Sequence, residues 1–183
     1  VVHTLRGELG EDAFWTGVKD YLHTNAHSTV HTRDFQVALE TASGRNLDGF
    51  FHDWIMSAGH PALTVKVAWA KGLLKVTVTQ RQKGEGTPEA YRFNLALLAV
   101  TESGEHPIHL PVTERAKTWA IPLAEEPVRI EVDHGFRFLS DMRVEGSSAL
   151  LTASLTGDSC VVGRIRAAKA LAKDGSPKTI AAL

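Results

Sequence analysis

At Gly59 the spacing of apolar residues changes from threes and fours to twos, and these two periods cannot belong to one element. Upstream, Leu47, Phe50, Phe51, Trp54 and Ile55 recur at helical intervals; downstream, Leu63, Val65 and Val67 alternate with Thr64 and Lys66. Pro61 cannot continue a helix and biases His60 toward extended backbone, so Gly59, His60 and Pro61 read as a corner between a helical part and a strand part. The fold class expected is α+β.

Before the corner four helices are predicted. Val1, Val2, Leu5 and Leu9 form the face of the first, which Gly10 ends. Glu11 and Asp12 favour the start of the second, whose buried face is Phe14, Val18, Tyr21 and Leu22. Thr32 is the predicted N-cap of the third, with Phe35, Ala38, Leu39 and Ala42 on one face up to Ser43 and Gly44. The fourth carries the stripe of Phe50, Phe51 and Trp54, which something must cover.

After the corner, Lys71 and Gly72 mark a turn into Leu74, Val76 and Val78, and a polar loop with Gly84, Gly86 and Pro88 leads to the apolar run from Phe93 to Val100. Further runs hold Ile108, Leu110 and Val112, then Trp119 and Ile121, then Val128, Ile130 and Val132. Six short runs separated by turn signals predict an antiparallel β-sandwich of about 75 residues. Beyond Asp133, His134 and Gly135 the helical period returns. One helix is expected from Ser148 to Thr156; a second follows Val161, Ile165, Ala168, Leu171 and Ala172, opened by Asp158 or Ser159 and stopped near Asp174 and Gly175; a third starts at Pro177.

Charge and composition remove several function classes. A net charge of -1 and a pI near 6.8 supply no long-range field for nucleic acid or an anionic membrane, so neither partner is expected. No apolar run approaches the roughly 20 residues that span a bilayer. Cys160 is the only cysteine, which excludes an internal disulfide and leaves the compartment open, with the cytoplasm slightly favoured.

Some residues have the types and spacing that chemistry uses. His23, His27 and His31 lie four apart, as metal-binding histidines on a helix do, but Asn25, Ser28 and Thr29 among them are poor helix formers, and the trio is expected to be solvated. His106 and His109 should face opposite sides of a strand. Arg164 and Arg166, near a helix start, suit phosphate or an acidic partner in principle, or a bridge between neighbouring helices. Phe50, Phe51 and Trp54 fit a core better than an aromatic ligand patch. No catalytic, cofactor-binding or metal-binding residue is therefore assigned.

The run F-Q-V-A-L-E-T-A-S-G-R-N-L-D-G-F-F-H-D-W-I-M-S-A-G-H-P-A-L-T-V-K-V, from Phe35 to Val67, resembles the stretch that follows the zinc site in aminopeptidase N-type metallopeptidases. The opening V-V-H-T-L-R-G-E-L-G-E-D-A-F-W-T-G-V-K-D-Y-L is similar to that family's preceding helices, and D-S-C-V-V-G-R-I-R-A-A-K-A-L-A-K-D-G-S-P-K-T-I-A-A-L resembles a HEAT-type repeat. Neither the H-E-x-x-H zinc motif nor the family's G-x-M-E-N-like strand occurs, and Val1 is read as a cut end.

The resemblance implies a multidomain piece: residues 1–60 the last helices of a thermolysin-like catalytic domain, 61–138 the β-sandwich, and 139–183 the start of a HEAT- or armadillo-like array. It implies zinc and a peptide substrate in the parent, an upstream catalytic domain as partner, and neither chemistry nor zinc in this part. The alternative is an inactive relative serving as a protein-interaction scaffold. Uncovered apolar faces would favour self-association.

Overall fold

The computed structural model describes residues 1–172. Helices α1 (Val2–Leu9), α2 (Glu11–Thr24), α3 (Thr32–Ser43) and α4 (Asp48–Phe51) come first, and α4 runs on through a wider π-type turn at His52–Met56. Their core is Leu5, Phe14, Leu39, Leu47 and Phe51. At Gly17 a side chain would collide with Leu39, so α2 lies directly against α3.

Three details differ from the sequence reading. Val1, Val2 and Leu22 are exposed, because these short helices bury narrower stripes than their apolar content allows, and Thr4 takes an inward place beside Leu5. The cap of α3 is His31, one residue before Thr32; its backbone N–H donates to Asp34 Oδ2 at 2.7 Å. The stripe from Leu47 to Ile55 bends at the π-type turn, which still leaves Trp54 inward.

Gly59, at φ +83°, sits where helix gives way to strand, and Pro61 is buried behind it. Seven strands follow: β1 (Ala62–Ala70), β2 (Leu73–Gln80), β3 (Phe93–Thr101), β4 (Gly104–Val112), β5 (Ala116–Pro122), β6 (Arg129–Val132) and β7 (Asp141–Glu145). They form a four-stranded sheet in the order β5-β2-β1-β7 and a three-stranded sheet in the order β4-β3-β6. Leu63, Val65, Val67, Leu74, Val76 and Val78 from the first sheet share one apolar core with Phe93, Leu95, Leu97, Leu110, Ile130 and Val132 from the second. Alternation on β1 and β2 is what the two-residue period demands.

The expectation of six antiparallel strands is corrected by β7. It lies where the helical period was expected to return, and it pairs parallel to β1, from Ala62 opposite Asp141 to Lys66 opposite Glu145. All other ladders are antiparallel.

Helices α5 (Ser148–Gly157) and α6 (Val161–Leu171) end the described chain, with Ser147 Oγ accepting from Leu150 N–H at the start of α5. The apolar face expected of α6 is divided. Leu171 is fully buried, whereas Val161 and Ile165 are exposed and Arg166 and Ala167 point inward. The expected helix stop near Asp174 and the helix from Pro177 lie outside the described residues.

Candidate functional site

Two junctions between helices and sheets concentrate the chain's unusual chemistry. At the first, Trp54 enters the sheet core: its ring stacks on Phe50 at 5.7 Å and meets Tyr91, Phe93 and Phe138 edge-on at 5.2 to 6.4 Å, while its Nε1–H donates to the Arg92 carbonyl at 3.2 Å. Beside it the buried Asp53 carboxylate receives Arg92 Nε and Nη2 at 2.8 and 3.0 Å, and His52 Nδ1 lies 3.1 Å away. Burial opposes ionisation of Asp53, but the bonds from Arg92 and His52 prevail and hold its pKa below the ordinary value. Trp54, Phe50 and Phe51 are thus packing residues, and the aromatic stripe offers no open ligand face.

At the second junction three carboxyl groups are buried between β6, the turn after it, and α5–α6: Glu131, Asp133 and Asp158. Glu131 receives Arg129 Nε at 3.1 Å, Ser159 Oγ at 2.7 Å and Ser159 N–H at 3.2 Å, with His134 Nδ1 at 2.8 Å. Burial raises its proton affinity, and these donors more than offset that, so its pKa falls below the ordinary carboxylate value. Asp133, in a left-handed turn conformation, accepts the Arg137 N–H at 2.8 Å and both Arg166 terminal nitrogens at 3.3 Å. Its burial is deeper, and desolvation pushes the carboxyl up to about 6. Asp158 is also raised, by burial and by the nearby charge of Glu131, although the Cys160 N–H donates to it at 2.8 Å. A side chain at Gly163 would overlap the Asp158 carboxylate, so that glycine is a condition of the packing.

The histidines of the sequence reading do not converge. His23 is in the last turn of α2, His27 has φ +63° in the connecting turn, and His31 caps α3; all three are exposed. His106 bonds to Thr101 Oγ1 at 3.1 Å, while His109 faces the other side of β4. His60 is exposed at the corner. Among the described residues no three His, Cys, Asp or Glu side chains are placed to hold a metal ion. The three converging ligands that a zinc centre needs are thus not brought together among the described residues. Arg166 spans from α6 to Asp133 and the Val132 carbonyl instead of bridging neighbouring helices, and Arg164 donates to the Asp158 carbonyl at 2.7 Å.

Sequence reasoning missed both buried charge systems. The one local signal was R-I-E-V-D, from Arg129 to Asp133, where acids alternate with core residues in a strand covered on both faces. Between β7 and α6 lies a cleft of about 850 Å³, lined by Met142, Val144, Leu151, Ile165 and Lys169 among others.

The arrangement is that of aminopeptidases at the level of fold. Legionella pneumophila aminopeptidase A, solved in complex with aspartic acid, matches 99% of this chain with a TM-score of 0.77 at 20% identity, using 23% of its own chain. No family model matches the sequence. Aminopeptidase N of Lactococcus lactis subsp. lactis is 33% identical over 67 residues, 37% of this chain and 8% of its own length. Alanine/arginine aminopeptidase of Saccharomyces cerevisiae is 29% identical over 179 residues, 93% of this chain and 20% of its own. The chain thus resembles aminopeptidase N-like proteins at modest identity, and it spans less than a quarter of the length of each of these relatives.

Proposed function

We propose that this chain is a supporting part of a longer zinc-dependent aminopeptidase that removes N-terminal residues from peptides. In this reading, residues 1–60 close the catalytic domain, 61–138 together with β7 form a β-sandwich, and the helices from α5 onward begin a HEAT-like array walling the substrate cavity. The observation that carries it is the alignment with the yeast alanine/arginine aminopeptidase over 179 residues. The dense aromatic junction at Trp54 supports the structural role, since it couples the helical part to the sheets without presenting reactive groups. Peptide hydrolysis with metal-activated water needs an open metal position and an adjacent base, and these belong to another part of the parent.

The test is a fluorogenic alanyl or leucyl amide assay on the 183-residue chain with added zinc, alongside metal analysis after dialysis. No turnover and no stoichiometric zinc are expected. Chelator-sensitive turnover surviving His27→Ala and His31→Ala would overturn the assignment.

A further inference from the structure

We propose that the docking of α5 and α6 onto the sheets is governed by protonation of the buried acid cluster, tightening in mild acid and loosening toward neutrality and in strong acid. The geometry is an interface with charge on both sides. Arg166 reaches from α6 to Asp133 and the Val132 carbonyl, Ser159 at the α5–α6 connection binds Glu131 with two donors, and Ser154 on α5 donates to the Ile130 carbonyl at 3.2 Å. Separating the helix pair from β6 exposes all three carboxyl groups to water.

The charged groups facing each acid set the direction. Asp133 faces Arg166 on α6 and the backbone N–H of Arg137 in its own turn. Glu131 faces Arg129 on the same strand, His134 in the turn and Ser159 between the helices. Asp158 faces Glu131, Arg129 and His134, and its carbonyl receives Arg164. Asp133 binds its proton more tightly when docked, at about 6, than at the ordinary carboxyl value of 3.8 that it regains when it opens to water. Lowering the pH through that window therefore favours the docked state, and Asp158, also raised, acts in the same sense. Glu131 has the opposite sign: its contribution is complete above its ordinary 4.5 and is lost as the pH falls through its lower docked value. Docking is accordingly greatest between the two transitions.

Hydrogen exchange on the full chain, corrected for the intrinsic pH dependence of amide exchange, tests this. Opening of α5 and α6 amides should fall about tenfold from pH 7.5 to pH 5, the linkage ratio for one carboxyl shifted by this amount, and rise again below pH 4. Asp133→Asn should flatten the fall, and Glu131→Gln should raise opening throughout the neutral range. If these variants do not fold, carbon-13 titration of the Asp133 carboxyl in the unaltered chain decides, with a midpoint near 6 expected. A flat or reversed profile between pH 7.5 and 5, a gradient kept in Asp133→Asn, or a midpoint near 4 would each overturn the proposal.

Discussion

Trp54 and Asp133 each fasten helices to the same sheets, by opposite means. Trp54 is surrounded by Phe50, Tyr91, Phe93 and Phe138, and its single polar atom has a carbonyl partner. Its grip comes from removing apolar surface from water and has no proton dependence of its own. Asp133, Glu131 and Asp158 sit as deeply, yet each has a desolvation cost, which the surrounding donors outweigh at Glu131 but not at Asp133 or Asp158. The first kind of junction is strong and indifferent to conditions. The second is conditional, because one proton changes which groups match.

The largest expected effect belongs to the apolar side. Trp54→Ala should destabilise the chain by about 3–5 kcal/mol, since the site is walled by rigid rings and cannot collapse; a urea midpoint matching the unaltered chain would erase the contrast between the junctions. Next, Arg166→Met should cost about 3 kcal/mol at pH 7.5 by leaving Asp133 charged and buried without its partner. That loss should shrink toward pH 5 as Asp133 takes up a proton, and an equal loss at both pH values would show that the pair is not the sensitive element. Gly163→Ala should cost about 1–3 kcal/mol through the clash with Asp158, read as a lower thermal midpoint with faster exchange confined to α5 and α6. The smallest, about 1–2 kcal/mol, is expected for Asp53→Asn, which weakens the two-bond contact with Arg92. Because the folded pKa of Asp53 is lowered, its contribution is full above the ordinary 3.8 and fades only below it. A difference between Asp53→Asn and the unaltered chain that vanished already at pH 6 would contradict that assignment.

The apolar junction was legible in the sequence and the charged one was not. Large aromatics at Phe50, Phe51 and Trp54 announce a buried stripe because no other placement satisfies them, and Gly59 and Pro61 mark where the backbone must turn. Strand β7 escaped because D-M-R-V-E has only two apolar positions and lies at a sheet edge, where the outward face stays polar. Glu131 and Asp133 read locally as solvent-facing acids; their burial depends on Ser159 and Arg166, roughly 30 positions later, which no local pattern connects to them. The same limit applies to Leu22, Val161 and Ile165, apolar residues whose exposure is decided by which neighbouring element reaches them. The candidate chemistry followed this division: the histidine spacings could be weighed locally, whereas the buried acid cluster required the tertiary fold.

The parallel pairing of β7 with β1 also sets an order of assembly. Its partners, Ala62 and Asp141, are about 80 positions apart, and five strands are made between them. Closing so long a loop is entropically slow, and it gains most once the intervening hairpins have already drawn the ends together. On a ribosome, β1 would wait with one edge open until the last strand emerged, and α5 and α6, which follow β7 directly, could settle only afterwards. The edge of β1 is therefore the nascent chain's most exposed adhesive surface during synthesis, and completing β7 is the step that retires it.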